Sequence, residues 1–566
     1  MCRTDFSLVL LARIPGDAMR HIQMQQTGAR PFSTPDVINE SVPAPTAGWN
    51  AIDPIALMDP KYAPVLDNWV PRTGYVELRA GFSAWVQAMA SGPVESLMTY
   101  RPAGSSERLF AACGGSIFEV TTQGTATPVQ TGLTNNRWQY VNFTPALGSN
   151  YIYIVNGQDA PRFFQGSVWT QPSITGGPSP STFSNIAVWK RRIWFVQGNS
   201  TVAWYLGTDA IQGALAGSLD IGALMNKGGT LLTIGTFTVD GGNGPDDLLV
   251  LLTTRGEAVV YKGTDPTNAN AFSLVGVFQL APPLGNRCLM DYGADLAVAT
   301  LQGIIPFSLA LPSDSDAVRG IALTNKIQNA MLIAAQQSQN NFGWEITHFP
   351  GQGLIVVNVP VETNSSQIQF VMNAVTGAWC RFTGWTANCF ALFQDNLYFG
   401  DNSGNVNAAW SGPADLVSPI VADMQCAFNY FGDPGRIKEI LMVQPLLISS
   451  GVIIPTISVD ADFSNVSPSA LVTTPAPSGA QYDISKYDSA VYASGIQVQD
   501  LWQDAQGEGH ALAIRMKVNV IPSGAAGTSV FDTGVFDTMV FDGFGTGTQT
   551  LQVMAFNAIV RKGGFI

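Results

Sequence analysis

Short apolar runs separated by glycine-containing turns recur along the middle of the chain. In each case two runs rich in Val, Ile, Leu and aromatic residues flank a turn that contains Gly, Asn or Asp. Such pairs predict β-hairpins, because the turn needs positive φ angles that these residues tolerate. The pairs are RLFAACGGSIFEV (108–120), YIYIVNGQDAPRFF (151–164), RRIWFVQGNSTVAWY (191–205), LLVLLTTRGEAVVY (248–261), DLAVATLQGIIPFS (295–308) and NLYFGDNSGNVNAAW (396–410).

The spacing of these hairpins indicates a repeat. The turn glycines Gly115, Gly157, Gly198, Gly256 and Gly303 are separated by 42, 41, 58 and 47 residues. A four-stranded propeller blade repeats at about 40–50 residues. We therefore predict an all-β fold with little helix, in which a β-propeller of six or seven blades is followed by a β-rich platform or sandwich. The alternative that the pattern leaves open is a β-sandwich of unrelated hairpins.

One segment in this region departs from the β pattern. In ALTNKIQNAMLIAAQQSQ (322–339) the apolar residues follow helical spacing, which predicts a helix inserted in the propeller. Either Thr324 or Asn325 is a candidate N-cap. The apolar stripe is Ile327, Met331 and Ala334/Ala335. We expect that stripe to pack against neighbouring blades and not to form a cofactor groove.

Beyond residue 410 the pattern changes to strict alternation. PTISVDADF (455–463), ALAIRMKVNVI (511–521) and LQVMAFNAIVRKGG (551–564) alternate apolar with polar residues or close the chain with a β-rich run. This period of two predicts half-buried antiparallel strands in a separate sheet or sandwich. The predicted organisation is an extended N-terminal arm (1–45), a β-rich connecting segment (46–100), the propeller (101–410) and a C-terminal β-sandwich or platform (411–566).

Composition restricts the classes of function. The 566-residue chain has 12% charged residues, a net charge of −13 and a mean hydropathy of +0.15. The sequence contains no long run of Lys and Arg, so specific recognition of nucleic acid is not expected. So few charges on a large chain suggest that other subunits cover much of its surface. The apolar stretch at residues 8–12 is too short for a secretory signal or a membrane span, so we expect neither.

Cysteine and histidine offer little material for a metal site. The sequence lacks a zinc-type CxxC pair, so the six cysteines are expected to be mostly buried, reduced thiols. A disulfide between Cys380 and Cys389 is a less favoured alternative. The three histidines lie far apart in the sequence, which argues against a His-based metal site or a Ser-His-Asp triad. They are His21, His348 and His510. We predict no cofactor and no metal.

Three Val-Phe-Asp triplets near the C-terminus place Asp532, Asp537 and Asp542 five residues apart. A calcium loop spaces its oxygen ligands at intervals of two around a glycine. An odd spacing in an extended chain sends successive side chains to opposite faces, so these carboxylates converge only if a turn falls between them. We interpret the triplets as architectural, with the Asp residues as candidate channel or subunit-contact residues.

The remaining candidates for chemistry are weaker. Asp246-Asp247 and Asp460/Asp462 are acid pairs of the kind a propeller glycosidase uses, but nothing in the sequence fixes one as acid and the other as nucleophile. GGNG (241–244) lacks the lysine of a phosphate-binding loop. Several tryptophans at strand ends would suit a carbohydrate platform, although packing between blades is the simpler interpretation. They are Trp169, Trp194, Trp204, Trp379, Trp385 and Trp410.

Two stretches carry a resemblance to a known family. The first is GWNAIDPIALMDPKYAPVLDNWVPRTGYVELRAGFSAW (48–85), leading into GPVESLMTY (92–100). The second comprises ALTNKIQNAM (322–331), NNFGWEITHFPGQGLIVVNVPV (340–361) and QFVMNAVTGAWCRFTGWTANCFALFQDNLYFGDNSGNV (369–406). Together they resemble the tail nozzle proteins of short-tailed double-stranded DNA bacteriophages, also called tail tubular protein B or packaged-DNA-stabilisation proteins.

The resemblance implies a structural, non-enzymatic virion protein made in the bacterial cytoplasm. Its members form a homohexameric ring below the portal and the tail adaptor, near the tail fibre or tailspike. The ring encloses the channel that retains packaged DNA and conducts it during ejection, so DNA is a transient and non-specific partner. A propeller glycosidase or depolymerase and a host-surface sugar-binding module are the alternative functions.

Overall fold

The computed structural model describes residues 36–146, 148–240, 245–311, 318–449, 453, 455–465, 473–475, 497–521 and 550–565. The fold is all-β, with 52% strand and 7% helix. It contains a β-propeller of six four-stranded blades, together with a three-stranded sheet that lies between the fourth and fifth blades in chain order. The prediction of an all-β propeller with six or seven blades is therefore confirmed.

The chain enters through six strands that lie outside the propeller blades. Strand β1 pairs with the last strand of the chain, and β5 and β6 belong to the same sheet. These strands are β1 (Asp36–Pro43), β2 (Gly48–Trp49), β3 (Tyr62–Ala63), β4 (Val65–Asp67), β5 (Trp69–Pro71) and β6 (Val76–Leu78). Residues 36–43 of the expected N-terminal arm are thus part of a sheet. Period-two patterning is weak in this strand, so only its long-range pairing reveals it.

Strand β7 (Phe82–Val86) is the outer strand of the sixth blade, although it precedes every other propeller strand in sequence. The first two blades follow it. Blade 1 consists of β8 (Val94–Tyr100), β9 (Arg108–Cys113), β10 (Ser116–Glu119) and β11 (Thr127–Gln130). Blade 2 consists of β12 (Gln139–Phe143), β13 (Tyr151–Val155), β14 (Arg162–Phe164) and β15 (Trp169–Thr170).

Blades 3 and 4 continue the ring. A short parallel pair, β16 (Ile174–Thr175) with β20 (Gly213–Ala214), lies beside blade 3. Blade 3 consists of β17 (Phe183–Trp189), β18 (Arg192–Gln197), β19 (Val202–Tyr205) and β21 (Gly217–Asp220). Blade 4 consists of β22 (Leu231–Asp240), β23 (Pro245–Thr253), β24 (Glu257–Gly263) and β25 (Phe272–Gln279).

The ring is completed by the three-stranded sheet and two further blades. The three-stranded sheet consists of β26 (Leu289–Tyr292), β27 (Asp295–Thr300) and β28 (Gly303–Pro306). Blade 5 consists of β29 (Glu345–Phe349), β30 (Leu354–Glu362), β31 (Ser366–Asn373) and β32 (Trp379–Phe382). Blade 6 consists of β33 (Cys389–Phe393), β34 (Asn396–Gly400), β35 (Val406–Ala409) and β7.

The inner strands of successive sheets contact each other around a closed circuit. The circuit closes where β33 of blade 6 contacts β8 of blade 1. Because β7 completes blade 6 from the N-terminal side, the first and last parts of the propeller are joined by strand pairing. All six predicted hairpins are confirmed as antiparallel pairs.

The helical segment follows the three-stranded sheet. It contains α1 (Phe307–Ala310), α2 (Val318–Ile321) and α3 (Gln328–Ser338), with a 3-10 turn at Asn325–Ile327. Ile327, Met331 and Ala335 are fully buried, as the helical spacing predicts. Thr324, one of the two predicted N-cap candidates, is the N-cap of the 3-10 turn, but its side chain makes no capping hydrogen bond there, and α3 itself begins after Ile327. Other 3-10 turns lie at Ile55–Leu57, Pro180–Thr182, Gly222–Leu224 and Pro350–Gln352.

The C-terminal region forms a second body with two sheets. Its strands are β36 (Ile420–Gln425), β37 (Arg436–Ser449), β38 (Thr456–Ala461), β39 (Thr473–Pro475), β40 (Gln497–Gln499), β41 (Gln503–Gly509), β42 (Leu512–Ile521) and β43 (Leu551–Phe565). The long strands β37 and β43 pair and form the centre of one sheet, to which β1, β5 and β6 also belong. The alternating stretches that predicted strands correspond to β38, β42 and β43.

The second C-terminal sheet is continuous with blade 5. Strand β32 pairs with β4, β4 pairs with β36, and β36 pairs with β42 and through it with β38. One sheet of eleven strands therefore runs from the propeller into the C-terminal body. The expected boundary at residue 411 is not a break between sheets, because β4, from the N-terminal part of the chain, bridges the two sides.

Candidate functional site

The structure describes some of the candidate residues that the sequence predicted, and others lie outside the described ranges. Asp532, Asp537 and Asp542 lie outside the described residues, as does GGNG (241–244). Their proposed roles therefore stay predictions. The other candidates can be placed.

The two acid pairs occupy different environments. Asp247 accepts hydrogen bonds from Lys190 Nζ and Thr238 Oγ1, both at 3.1 Å, in the hairpin of blade 4. Asp460 is buried and accepts a 2.5 Å hydrogen bond from Gln425 Nε2. Asp462 is half exposed and accepts a 2.7 Å hydrogen bond from the backbone N–H of His510. These contacts stabilise turns and strand pairs; the side chain of Asp246 lies outside the described part of the structure.

The most highly connected charged group on the propeller axis is Arg287, which precedes the inner strand β26. Its Nη1 donates to Glu345 Oε2 at 3.1 Å, and its Nη2 donates to the Glu95 carbonyl at 2.9 Å and to Ser96 Oγ at 2.8 Å. Glu345 begins β29 and Ser96 lies on β8, so one guanidinium joins three inner strands from sheets far apart in sequence. A third Nη2 contact, at 3.2 Å, reaches the Trp138 carbonyl beside blade 2.

A second arginine completes this axial cluster. Arg137 Nε donates to Glu95 Oε1 at 3.0 Å, and its guanidinium lies 4.2 Å from the ring centroid of Phe342. Arg287 lies 5.6 Å from the same ring centroid. Burial raises the pKa of Glu345, and the charge of Arg287 partly opposes that rise. Glu345 forms an ion pair with Arg287, and Glu95 forms one with Arg137. The cluster therefore links inner strands through ion pairs, and we call it the axial clasp.

One cavity, of about 240 Å³, is lined by residues of blades 2, 3 and 4 and of the three-stranded sheet. Most of its lining residues carry apolar side chains, and they include one carboxylate, Asp291. With each water occupying about 30 Å³ in the liquid, the cavity has room for roughly eight waters.

A ladder of alternating charges crosses the sheet where the propeller meets the C-terminal body. Arg381 on β32 pairs in register with Asp67 on β4, which pairs with Asp423 on β36, which pairs with Lys517 on β42. Arg381 donates to both Asp67 oxygens at 2.7 and 2.6 Å. Arg515, two residues from Lys517, donates to both oxygens of Asp423 at 2.9 and 2.7 Å.

This ladder was missed by sequence reasoning, which predicted only that the strand containing Arg515 is half-buried. The residue is only 5% exposed, and it also lies 3.7 Å from a carboxylate oxygen of Asp460. The alternation places Arg515 on the polar face of the strand and Ile514 and Met516 on its apolar face. It does not reveal which residues pack over the polar face. The one available signal is the scarcity of charges, which makes each charged residue inside a β-rich run a candidate for a specific partner.

The five cysteines that the structure describes are buried thiols, and Cys2 lies outside the described residues. Cys113, Cys288, Cys380, Cys389 and Cys426 are all free and buried, so the alternative disulfide between Cys380 and Cys389 is wrong. Burial raises the pKa of Cys113 to about 11 and the pKa of Cys288 to about 12. At neutral pH these side chains are protonated and poorly nucleophilic.

The tryptophans largely match the packing interpretation. Trp169, Trp194, Trp379 and Trp385 are buried, whereas Trp204 and Trp410 are half-buried. Within the described ranges, no group of three or more His, Cys, Asp and Glu residues is arranged to hold a metal ion. The helices of the described part of the chain include none with the length and apolar character needed to cross a bilayer.

Comparison with known proteins adds little beyond the fold. No protein-family model and no curated protein matches this chain. One similar solved structure is that of BBS1N in complex with ARL6DN, soaked with lead. The two sequences are 11% identical, the alignment covers 61% of this chain and 98% of that chain, and the TM-score is 0.36. Another is the extracellular domain of BT4673 from B. thetaiotaomicron, which is 9% identical, covers 80% of this chain and 62% of that chain, and gives a TM-score of 0.37. Likenesses at these TM-scores carry no argument about what the chain does.

Proposed function

We propose that this chain is a structural subunit of a bacteriophage short tail. In this role six copies form a tail nozzle below the tail adaptor, retain packaged DNA and conduct it during ejection. The proposal starts from the sequence resemblance over residues 48–100 and 322–406. It treats the protein as a virion component and not as an enzyme.

The observation that carries the proposal is that these two resembling stretches contact each other. Asp67 of the first stretch binds Arg381 of the second through two hydrogen bonds. Asn68 Nδ2 donates to Thr383 Oγ1 at 2.9 Å. Two motifs separated by some three hundred residues thus form one half-buried junction between propeller and C-terminal body, as expected if the resemblance reflects a shared architecture.

The proposal places the DNA passage between copies of the chain. Within one propeller the Arg287 cluster links inner strands to each other, so we assign the lumen to the space that several chains enclose. A closed ring is the usual way in which identical subunits enclose such a space. The charged junction ladder would keep the propeller and the C-terminal body of each subunit in a fixed arrangement under the load of DNA passage.

Electron microscopy of the purified protein and of virions tests the proposal. We expect sixfold rings with an open axis, and density for this chain around the exit channel of the tail. A protein that stays monomeric while it cleaves a host polysaccharide would overturn the proposal, as would virions with this chain located away from the exit axis.

Two variants sharpen this test. Deletion of residues 1–35 leaves β1 in its sheet, so it asks whether the preceding segment contributes to ring formation without damaging the C-terminal body. Replacement of Asp532, Asp537 and Asp542 by Asn asks whether a ring of carboxylates assists DNA passage. We expect normal particles with slower genome release; unchanged release would remove these residues from the proposal.

A further inference from the structure

A cleft lies at the rim of the propeller between blade 4 and the three-stranded sheet. Its volume is about 360 Å³. It is lined by Lys227, Arg255, Gln279, Leu280, Ala281 and Gln302. The lining therefore combines two cations and two carboxamides with no carboxylate.

Two glycines with positive φ allow the close approaches that build the walls of the cleft. Gly229, at φ +94°, lies against Arg255, and a Cβ there would lie 2.8 Å from Arg255 Cγ. Gly256, at φ +83°, lies under the linker after blade 4, where a Cβ would meet the Leu280 carbonyl oxygen at 2.4 Å. Backbone hydrogen bonds fix both approaches: Thr254 N–H to the Thr230 carbonyl and Leu280 N–H to the Gly256 carbonyl, each at 2.8 Å. The cleft is a feature of the folded backbone and not a chance gap between side chains.

Neither cation of the cleft is neutralised by an ion pair with a described residue. Most arginines in the described ranges lie within 4 Å of a carboxylate, and Arg255 is an exception. One acid that contacts this wall is Glu257, which is 2% exposed. Its two oxygens accept the backbone N–H groups of Asn226 at 2.7 Å and Lys227 at 2.9 Å. Glu257 therefore holds the linker in place, and the side chains of Lys227 and Arg255 are left available to a ligand.

From this arrangement we infer that the rim cleft between blade 4 and the three-stranded sheet binds a phosphate group. A guanidinium offers a planar fork that matches phosphate oxygens, and an ammonium adds a point charge. Gln302 adds a carboxamide able to donate a further hydrogen bond. The volume is roughly that of twelve waters, so the cleft also accepts part of the group to which the phosphate is attached.

The source of the phosphate is either a nucleic-acid backbone or free phosphate. The protein has a net charge of −13, so most of its surface repels a polyanion. Lys227 and Arg255 are exposed and lack an ion-pair partner among the described residues, so they attract a polyanion locally. Because both cations are exposed, the contact is weak and easily screened by salt, which is compatible with DNA sliding past. The inference does not depend on the proposed tail role.

The experiment compares the full-length protein with the double variant K227A/R255A. Binding of a fluorescein-labelled 20-base-pair DNA duplex is followed by fluorescence anisotropy at 50 and 200 mM salt, and inorganic phosphate binding is followed by ³¹P NMR line broadening. The control is K61A/K262A, which removes the same charge from two other exposed lysines. For duplex DNA we expect at least a fivefold loss of affinity in K227A/R255A, no more than a twofold loss in the control, and a salt slope lower by about 1–2 in the double variant.

Each outcome decides the inference. Loss of both DNA and phosphate binding in K227A/R255A alone supports a phosphate site that DNA can occupy. Phosphate binding that is lost in K227A/R255A, without measurable DNA binding, assigns the site to free phosphate. Equal losses in the two double variants, or absence of phosphate binding, would overturn it. Ring formation by K227A/R255A, scored separately by electron microscopy, keeps this result distinct from the fate of the proposed nozzle role.

Discussion

Arg79 provides a sharp test of what joins the propeller to the C-terminal body. The residue is 1% exposed, and its guanidinium binds Asp415 through hydrogen bonds of 2.8 and 2.6 Å. It also donates to Asn68 Oδ1 at 2.8 Å and to the Thr383 carbonyl at 2.7 Å. The variant R79M fits the same space but leaves the Asp415 carboxylate buried without its counter-charge. Breaking a buried pair in this way costs about 3–5 kcal/mol.

The expected cost can be measured locally. Since a multidomain chain does not unfold in one step, hydrogen–deuterium exchange of peptides covering β7 and β32 is a better readout than a global midpoint. A loss of about 3 kcal/mol corresponds to exchange faster by about a hundredfold. The double variant R79M/D415N removes the stranded charge and should recover more than half of the loss. The control R101M breaks a half-exposed pair with Glu107 and should cost less than about 1 kcal/mol.

The reasoning fails in either of two cases. If R79M exchanges within a factor of about five of the wild type, the buried pair contributes little to the junction. If R79M and R79M/D415N exchange equally fast, the cost comes from lost packing and not from an unpaired carboxylate.

Three further predictions concern backbone strain, pH and thiol chemistry. Replacing Gly303, at φ +116°, by Ala puts a Cβ 2.1 Å from Thr324 Oγ1. The control is G293A, because Gly293 also has a positive φ but has no atom within 4 Å of an added Cβ. The thermal midpoint of G303A should therefore lie well below that of G293A. The hydrogen bond from Lys326 lowers the pKa of Asp53 below its ordinary value of 3.8; the pair therefore stabilises the fold above about pH 4 and loses this effect as the pH falls through the lowered pKa. Limited proteolysis near residue 55 should accordingly increase below pH 4 in the wild type, and D53N should be cleaved faster at pH 7, with less change on acidification. Because burial keeps their thiols protonated, peptide mapping after iodoacetamide at pH 8 should show no labelling, before unfolding, of Cys113, Cys288, Cys380, Cys389 and Cys426.

Local features of the fold could be predicted well from the sequence. The hairpin of β9 and β10 turns at Gly114 and Gly115, which both have positive φ, and the other predicted hairpins likewise join neighbouring strands. Each hairpin consists of a glycine-containing turn and two flanking apolar runs, so about fifteen consecutive residues are enough to predict it. Their spacing was enough to indicate a propeller, because blades are repeats of such units. The buried stripe of α3 was predicted for the same reason, since its period is local.

The candidate sites depended on contacts that no local pattern encodes. Arg79 and Asp415 are 336 positions apart, and Arg287 and Glu95 are 192 apart. Before folding, nothing distinguishes these charged residues from solvated ones, so the axial clasp, the charge ladder and the rim cleft were all missed. The cleft depends on close approaches at two glycines, Gly229 and Gly256, which lie in different loops. Only Gly256 was noted from the sequence, as a turn residue.

The amino-acid sequence by itself determined that this protein is built from short hairpins with a repeat of blade length and little helix. Only the tertiary structure decided which strands pair across the chain: β7 closing blade 6, β1 joining β43, and β4 fusing blade 5 to the C-terminal sheet. The physical reason is that turn conformation and side-chain alternation are fixed by neighbouring residues. The choice of a distant strand partner is instead made by burial and charge pairing, which exist only once the sheets have come together.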